Sequence, residues 1–138
     1  MKAIARRTSP SAFTHRIEIR RHELTADEPS GHGGDDEGPS PQELLAASLA
    51  SCTAITIEMY AERKGWDIGQ VEVDCEYAPA NGTSATSFAL TLRLPSTCTE
   101  EQLEKLSIIA AKCPVHRTLA GEVSFKQRIE LVQPPDAA

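Results

Sequence analysis

Apolar residues recur with two different periods along this chain, and each change of period marks a new element. Between Pro41 and Lys64 the pattern is helical and crowded: Leu44, Leu45, Leu49, Ile55, Ile57 and Met59 are separated by Ala, Ser, Thr and Cys, and no charge falls between Leu44 and Ile57. Ser40 supplies an N-cap, Pro41 suits the first helical position, Glu43 completes a capping box, and Gly65 after Arg63 and Lys64 supplies a left-handed stop. At about 1.5 Å per residue this rod is about 36 Å long. Its uncharged centre is expected to be buried on nearly every side.

Period-two alternation predicts the strands. Lys2–Thr8 and Thr14–Thr25 read as a hairpin joined through Ser9-Pro10-Ser11, with Phe13, Ile17 and Ile19 turned inward. From Asp27 to Gly38 the chain is rich in glycine and acids without periodicity, which predicts a surface loop with His32 in solvent. The spacing of Asp35, Asp36 and Glu37 is not that of a calcium loop. After Gly65, alternation returns with Val71, Val73, Cys75 and Tyr77 on one face. Asn81-Gly82 marks a turn, and Thr86–Leu94 runs back with Phe88, Leu90, Leu92 and Leu94 inward. The dry face of this second hairpin needs a cover, and the long helix is the obvious one. Thr99 and Gln102 form a second capping box that opens a helix through Leu103, Leu106 and Ile109 to Lys112. Cys113, placed before Pro114, ends that helix, and Pro114 can begin another short one. Glu122–Val132 is expected to close the chain as a strand, with the tail after Gln133 frayed. The expected class is α+β, in a single domain spanning residues 1–138.

Composition narrows the function. With 40% hydrophobic and 25% charged residues the chain is globular, and neither disorder nor a membrane span is indicated. A net charge of -6 argues against general nucleic-acid binding. MKAIARRTSP lacks a secretory apolar core, so a cytoplasmic location is expected, where the four cysteines serve as thiols, a redox pair or metal ligands. Arg6, Arg7, Arg16, Arg20 and Arg21 all precede the first helix. A solvated strand face explains most of them, and an anion or thiolate partner can be among them.

Cys52, at the middle of the long helix, has two readings. A free cysteine serves as a small core residue; alternatively Ser48 and Thr56, one turn to either side, supply hydroxyls to a sulfur that ionises. Cys113 at a helix start has free amides nearby, which lower a thiol pKa. Cys75 points where the valines point and is assigned to the core; Cys98 lies in a loop and is expected to be exposed and incidental. A zinc site built from Cys113, His116 and Cys52 is the competing chemistry, without an evident fourth ligand. Otherwise His116 is a helix-face residue, and His15 and His22 lie in strand patterns.

GPSPQELLAASLASCTAIT followed by CPVHRTL resembles the OsmC/Ohr family of thiol peroxidases, in particular its OsmC-like branch, and HELTADEP and RKGW are also similar to that branch. The resemblance covers nearly the whole chain. It implies a strongly curved antiparallel sheet wrapped around two central helices, and an intertwined homodimer with its sites at the interface. It also implies reduction of organic hydroperoxides, and less well of hydrogen peroxide, by a cysteine pair without metal, flavin or other cofactor, with a thiol or dithiol as the reductant. By position Cys52 matches the attacking cysteine, which becomes a sulfenic acid, and Cys113 the resolving cysteine, which forms a disulfide with it. The family's activating arginine falls at Arg20 or Arg21, although the Gly-rich turn around it is absent. The family's glutamate stands ten positions before the first cysteine, where this chain has Gln42; Glu43 is one position late. At about 100° per residue Glu43 then lies opposite Cys52, so a capping role competes with a catalytic one. The alternative function is a non-catalytic dithiol redox sensor or ligand-binding module.

Overall fold

A computed structural model describes residues 1–134. In chain order the elements are β1 Ile4–Arg7, β2 His15–Ile19, β3 His22–Ala26, α1 Pro41–Lys64, β4 Glu72–Ala78, β5 Ser87–Arg93, α2 Glu100–Ala110 and α3 Pro114–Ala120. The strands form two antiparallel sheets, β1-β2-β3 and β4-β5. The architecture is α+β, as expected.

Both capping boxes are formed. Ser40 accepts from the Glu43 amide at 3.2 Å while the Glu43 carboxylate accepts from the Ser40 amide at 3.1 Å. Thr99 and Gln102 repeat the arrangement at the start of α2. Each box satisfies two amides that a helix start leaves unpaired. Gly65 ends α1 in the left-handed region, with φ 68°.

One stripe of α1, spaced four residues apart, faces inward: Leu49, Thr53, Ile57 and Ala61 are buried. The helix packs on β4, α2 and α3. Ile57, Ala61, Ile68, Leu106 and Ala110 make the core, with Val71 and Leu92 of the second hairpin closing over it. Fully burying Ile57 or Leu106 contributes about 1.5–3 kcal/mol each. The register Val73↔Leu92, Cys75↔Leu90 and Tyr77↔Phe88 puts all six side chains on one face of the hairpin, as the alternation predicts.

Several expectations need correction. The rest of α1 is not enclosed: Ile55 is 53% and Met59 52% exposed. The single strand expected over Thr14–Thr25 is two strands, because the chain reverses at Arg20-Arg21 with Arg20 at φ 55° and Ile19 paired to His22. No glycine, asparagine or proline announces that turn. Phe13 is 51% exposed and precedes β2 rather than lining its inner face. Cys98 is half-buried against the core and not exposed. Glu122–Val132 forms no strand and pairs with none among the described residues, and Phe125, Ile129 and Leu131 are 89%, 89% and 96% exposed. The expectation for the tail past Pro134 lies outside the described residues.

The loop before α1 is more ordered than its composition suggests. Asp27 is buried, and its carboxylate accepts from the Thr14 hydroxyl and from the amides of Glu28, Asp35 and Glu37. Burial pushes the Asp27 pKa up, but these four donors outweigh it and hold the group below its ordinary value. At Gly38 an added Cβ would stand 2.4 Å from the Thr25 carbonyl oxygen, so only glycine lets the loop pass so close to β3.

Candidate functional site

The fold brings Cys52 and Cys113 together. Cys52 lies within the span of the buried stripe of α1, one residue before Thr53, and is half-buried; Cys113 caps α3 and is 0% exposed. The two thiols are close enough to weigh on each other's ionisation. Pro114 creates this geometry, because it forces extended backbone on Cys113 (φ −61°, ψ 141°) and starts α3 in a new direction. The Cys113 sulfur then accepts from the His116 amide at 3.2 Å, as a serine cap would. The Thr53 hydroxyl, itself 0% exposed, donates to the same sulfur at 3.8 Å.

The two thiols differ in electrostatics. Burial pushes the Cys52 thiol up, the Val115 amide and Thr56 hydroxyl pull it down less, and the net direction is upward. Burial also pushes Cys113 up, but the His116 amide, the Cys52 thiol, the Thr53 hydroxyl and the Val115 amide together bring it below its ordinary value. Of the two thiols, Cys113 is the one whose surroundings favour ionisation. Of the hydroxyls expected to serve Cys52, Thr56 pulls its pKa down, whereas Ser48 is exposed.

Neither arginine is among the groups that weigh most on either sulfur. Arg20 and Arg21 sit exposed at the β2–β3 turn. The other early arginines are committed: Arg6 and Arg16 pair with Glu18, and Arg7 donates to the Ala12 and Pro10 carbonyls and lies over the Phe13 ring. Glu43 is engaged with Ser40, whose amide hydrogen bond is the main reason its pKa lies below the ordinary carboxylate value. Among the described residues no three His, Cys, Asp or Glu side chains are grouped to hold a metal. Cys75, on the inner face of β4, is raised by burial alone.

A cleft of about 280 Å³ is lined by Leu49, Phe88, Leu90 and Leu119 with Thr86 and His116 as its polar residues; neither sulfur lines it, and Leu49 and His116 stand three residues along the chain from Cys52 and Cys113. His116 thus contributes its amide to Cys113 and also lines the cleft. Thr53 and the Val115 amide are the site groups that the sequence reading missed. Thr53 was legible in principle, since the Leu49, Ile57 and Ala61 spacing places its hydroxyl on the buried stripe.

The fold is that of an OsmC-like protein. The family model described as OsmC-like protein matches residues 33–128, and the chain belongs to that family. Solved structures show the same fold. An OsmC-like protein from Mycoplasma pneumoniae superposes with TM-score 0.71 at 20% identity, over 87% of this chain and 86% of that one. An organic hydroperoxide resistance protein OsmC from Legionella pneumophila gives 0.65 at 20% identity over 88% and 90%. The organic hydroperoxide resistance protein OhrB of Bacillus subtilis gives 0.60 at 20% identity over 87% and 90%. No match to a curated protein was found.

Proposed function

We propose that this chain is a thiol peroxidase that reduces organic hydroperoxides, and hydrogen peroxide less well, through a Cys52 sulfenic acid and a Cys52–Cys113 disulfide. The observation that carries this reading is the placing of a partly exposed thiol beside a fully buried one, with Thr53, the residue after Cys52, donating to the Cys113 sulfur. An accessible sulfur can meet a peroxide, and a buried partner beside it resolves the sulfenic acid before further oxidation. The largely apolar cleft walled by Leu49 of α1 and Leu119 of α3 suits an alkyl substrate better than hydrogen peroxide. Membership of the family and likeness to proteins named for organic hydroperoxide resistance support the same class.

The working unit of the proposal is a cytoplasmic homodimer with its sheets curved around paired helices. Three apolar surfaces of one chain lack a cover: the Ile55 and Met59 face of α1, the unpaired segment from Val123 to Leu131, and the face of the first sheet around Phe13 and Ile17. A second copy covers all three, and can bring the uncommitted guanidinium of Arg20 or Arg21 to Cys52. The alternative, a dithiol sensor without useful turnover, is favoured by one observation, the upward push on the Cys52 thiol. Steady-state turnover of an alkyl hydroperoxide, a fatty-acid hydroperoxide and hydrogen peroxide with a dithiol reductant decides between them. The peroxidase reading expects turnover, fastest on an organic hydroperoxide, that is lost in Cys52→Ser; oxidation of the pair without turnover supports the sensor.

A further inference from the structure

We propose that α3 is a redox-sensitive flap on the cleft: the Cys113 sulfur caps it while the two thiols are reduced, and bridging to Cys52 removes the cap and loosens the helix. The inference rests on the proposed Cys52–Cys113 disulfide and adds what its formation does to the fold.

α3, Pro114–Ala120, is 7 residues long, too short to keep its shape without outside support. None of its residues is buried; Val115 and His116 are half-buried, and Arg117 to Ala120 are exposed. Its support is therefore concentrated in the first turn. Pro114 has no amide to offer there, the Arg117 amide donates to the Cys113 carbonyl at 3.0 Å, and the His116 amide donates to the Cys113 sulfur at 3.2 Å. That sulfur is the side-chain cap of the helix. It is anchored in its turn, because Cys113 is 0% exposed and the Thr53 hydroxyl of α1 donates to the same sulfur at 3.8 Å. One atom thus ties the start of α3 to α1. His116, Leu119 and Ala120 line the cleft from α3, while Phe88 lines it from β5 and is stacked on Tyr77 at 5.0 Å within the hairpin. Of these walls α3 is the one free to move.

Bridging changes the cap in two ways. As the disulfide forms, each thiol gives up its proton, one S–S bond replaces two S–H bonds, and two electrons pass to the hydroperoxide, whose O–O bond breaks to give one alcohol and one water. The Cys113 sulfur is drawn toward α1, and once bonded to a second sulfur it is a poorer acceptor for the His116 amide. Uncapped, the first turn of α3 frays, as segments with few buried contacts do most readily. The oxidised protein then opens the cleft for the alcohol to leave, and admits a thiol reductant to a sulfur that is 0% exposed in the reduced one.

The test follows amide hydrogen exchange in peptides covering α3 and α2 of the full-length protein, reduced and then oxidised with diamide. That azo oxidant takes two hydrogens from a thiol pair to become a hydrazine, so it makes the bridge without any peroxidase activity. Exchange in α3 is expected to quicken about fivefold on oxidation, the effect of losing a cap of ordinary strength, with α2 unchanged. In the reduced state Cys113→Ala should exchange in α3 like oxidised wild type, whereas Cys113→Ser, which keeps a capping atom, should match reduced wild type. Should Cys113→Ala not fold, the comparison of oxidised with reduced wild type decides alone. Equal exchange in the two states, an increase shared by α2, or alanine and serine variants that exchange alike overturns the proposal, as does diamide treatment that forms no Cys52–Cys113 bridge. Failure of the peroxidase reading would show separately, as absence of wild-type turnover with the exchange difference intact.

Discussion

Replacing Ile57 and, separately, Ile55 by alanine asks which faces of α1 are covered in the working protein. Ile57 is 0% exposed and sits in the core with Leu106. Its truncation is expected to cost about 2–5 kcal/mol, the range for deeply buried aliphatic residues, or a fall in Tm of about 6–15 °C for a chain of this size. Ile55 is 53% exposed in one chain. If that face met only water, alanine would cost about 1 kcal/mol, half of a full burial. The homodimer places the face against a second copy, so Ile55→Ala is expected to approach the cost of Ile57→Ala, with a Tm that depends on protein concentration. Thermal unfolding across a hundredfold range of concentration, paired with sedimentation, makes the comparison. A cost near 1 kcal/mol for Ile55→Ala, with a folded monomer at micromolar concentration, would refute the reasoning.

Two further outcomes follow from the site and its loop. Glu43→Gln should leave peroxide turnover within a few-fold, since α2 builds the same capping box with Gln102, whereas Arg20→Ala or Arg21→Ala should slow Cys52 oxidation far more; second-order oxidation rates of the three variants check this, and a hundredfold loss in Glu43→Gln would assign the carboxylate to the chemistry. Asp27 has a folded pKa below its ordinary 3.8, so the stability it contributes is full above that value and lost as pH falls through the folded one. Acid unfolding of Asp27→Asn should accordingly show a weaker loss below pH 3.8 than wild type, and an identical acid limb would remove Asp27 from that role.

What the sequence made legible was local. Ser40, Pro41, Glu43 and Gly65 announce both ends of α1 because caps act over three or four residues, and Val71 to Tyr77 alternates because one face is dry. The Arg20-Arg21 reversal was hidden, since the sheet imposes a left-handed conformation on an arginine that does not advertise it. The segment from Glu122 to Val132 alternates like a strand, yet alternation reports an apolar face and not where its partner lies. For the site, the residue types and the break at Pro114 pointed to Cys52 and Cys113. Their proximity depends on how α3 leaves α2, and the Thr53 hydrogen bond to Cys113 depends on which way the α1 stripe faces. Both are tertiary facts.

The central claim is that Cys52 and Cys113 are one redox pair, and peptide mapping after a stoichiometric addition of organic hydroperoxide to the reduced protein tests it most directly. The account expects a Cys52–Cys113 disulfide as the dominant product, with Cys75 and Cys98 still open to alkylation. A dominant bridge that includes Cys75 or Cys98, or oxidation that leaves Cys113 a free thiol, would contradict it.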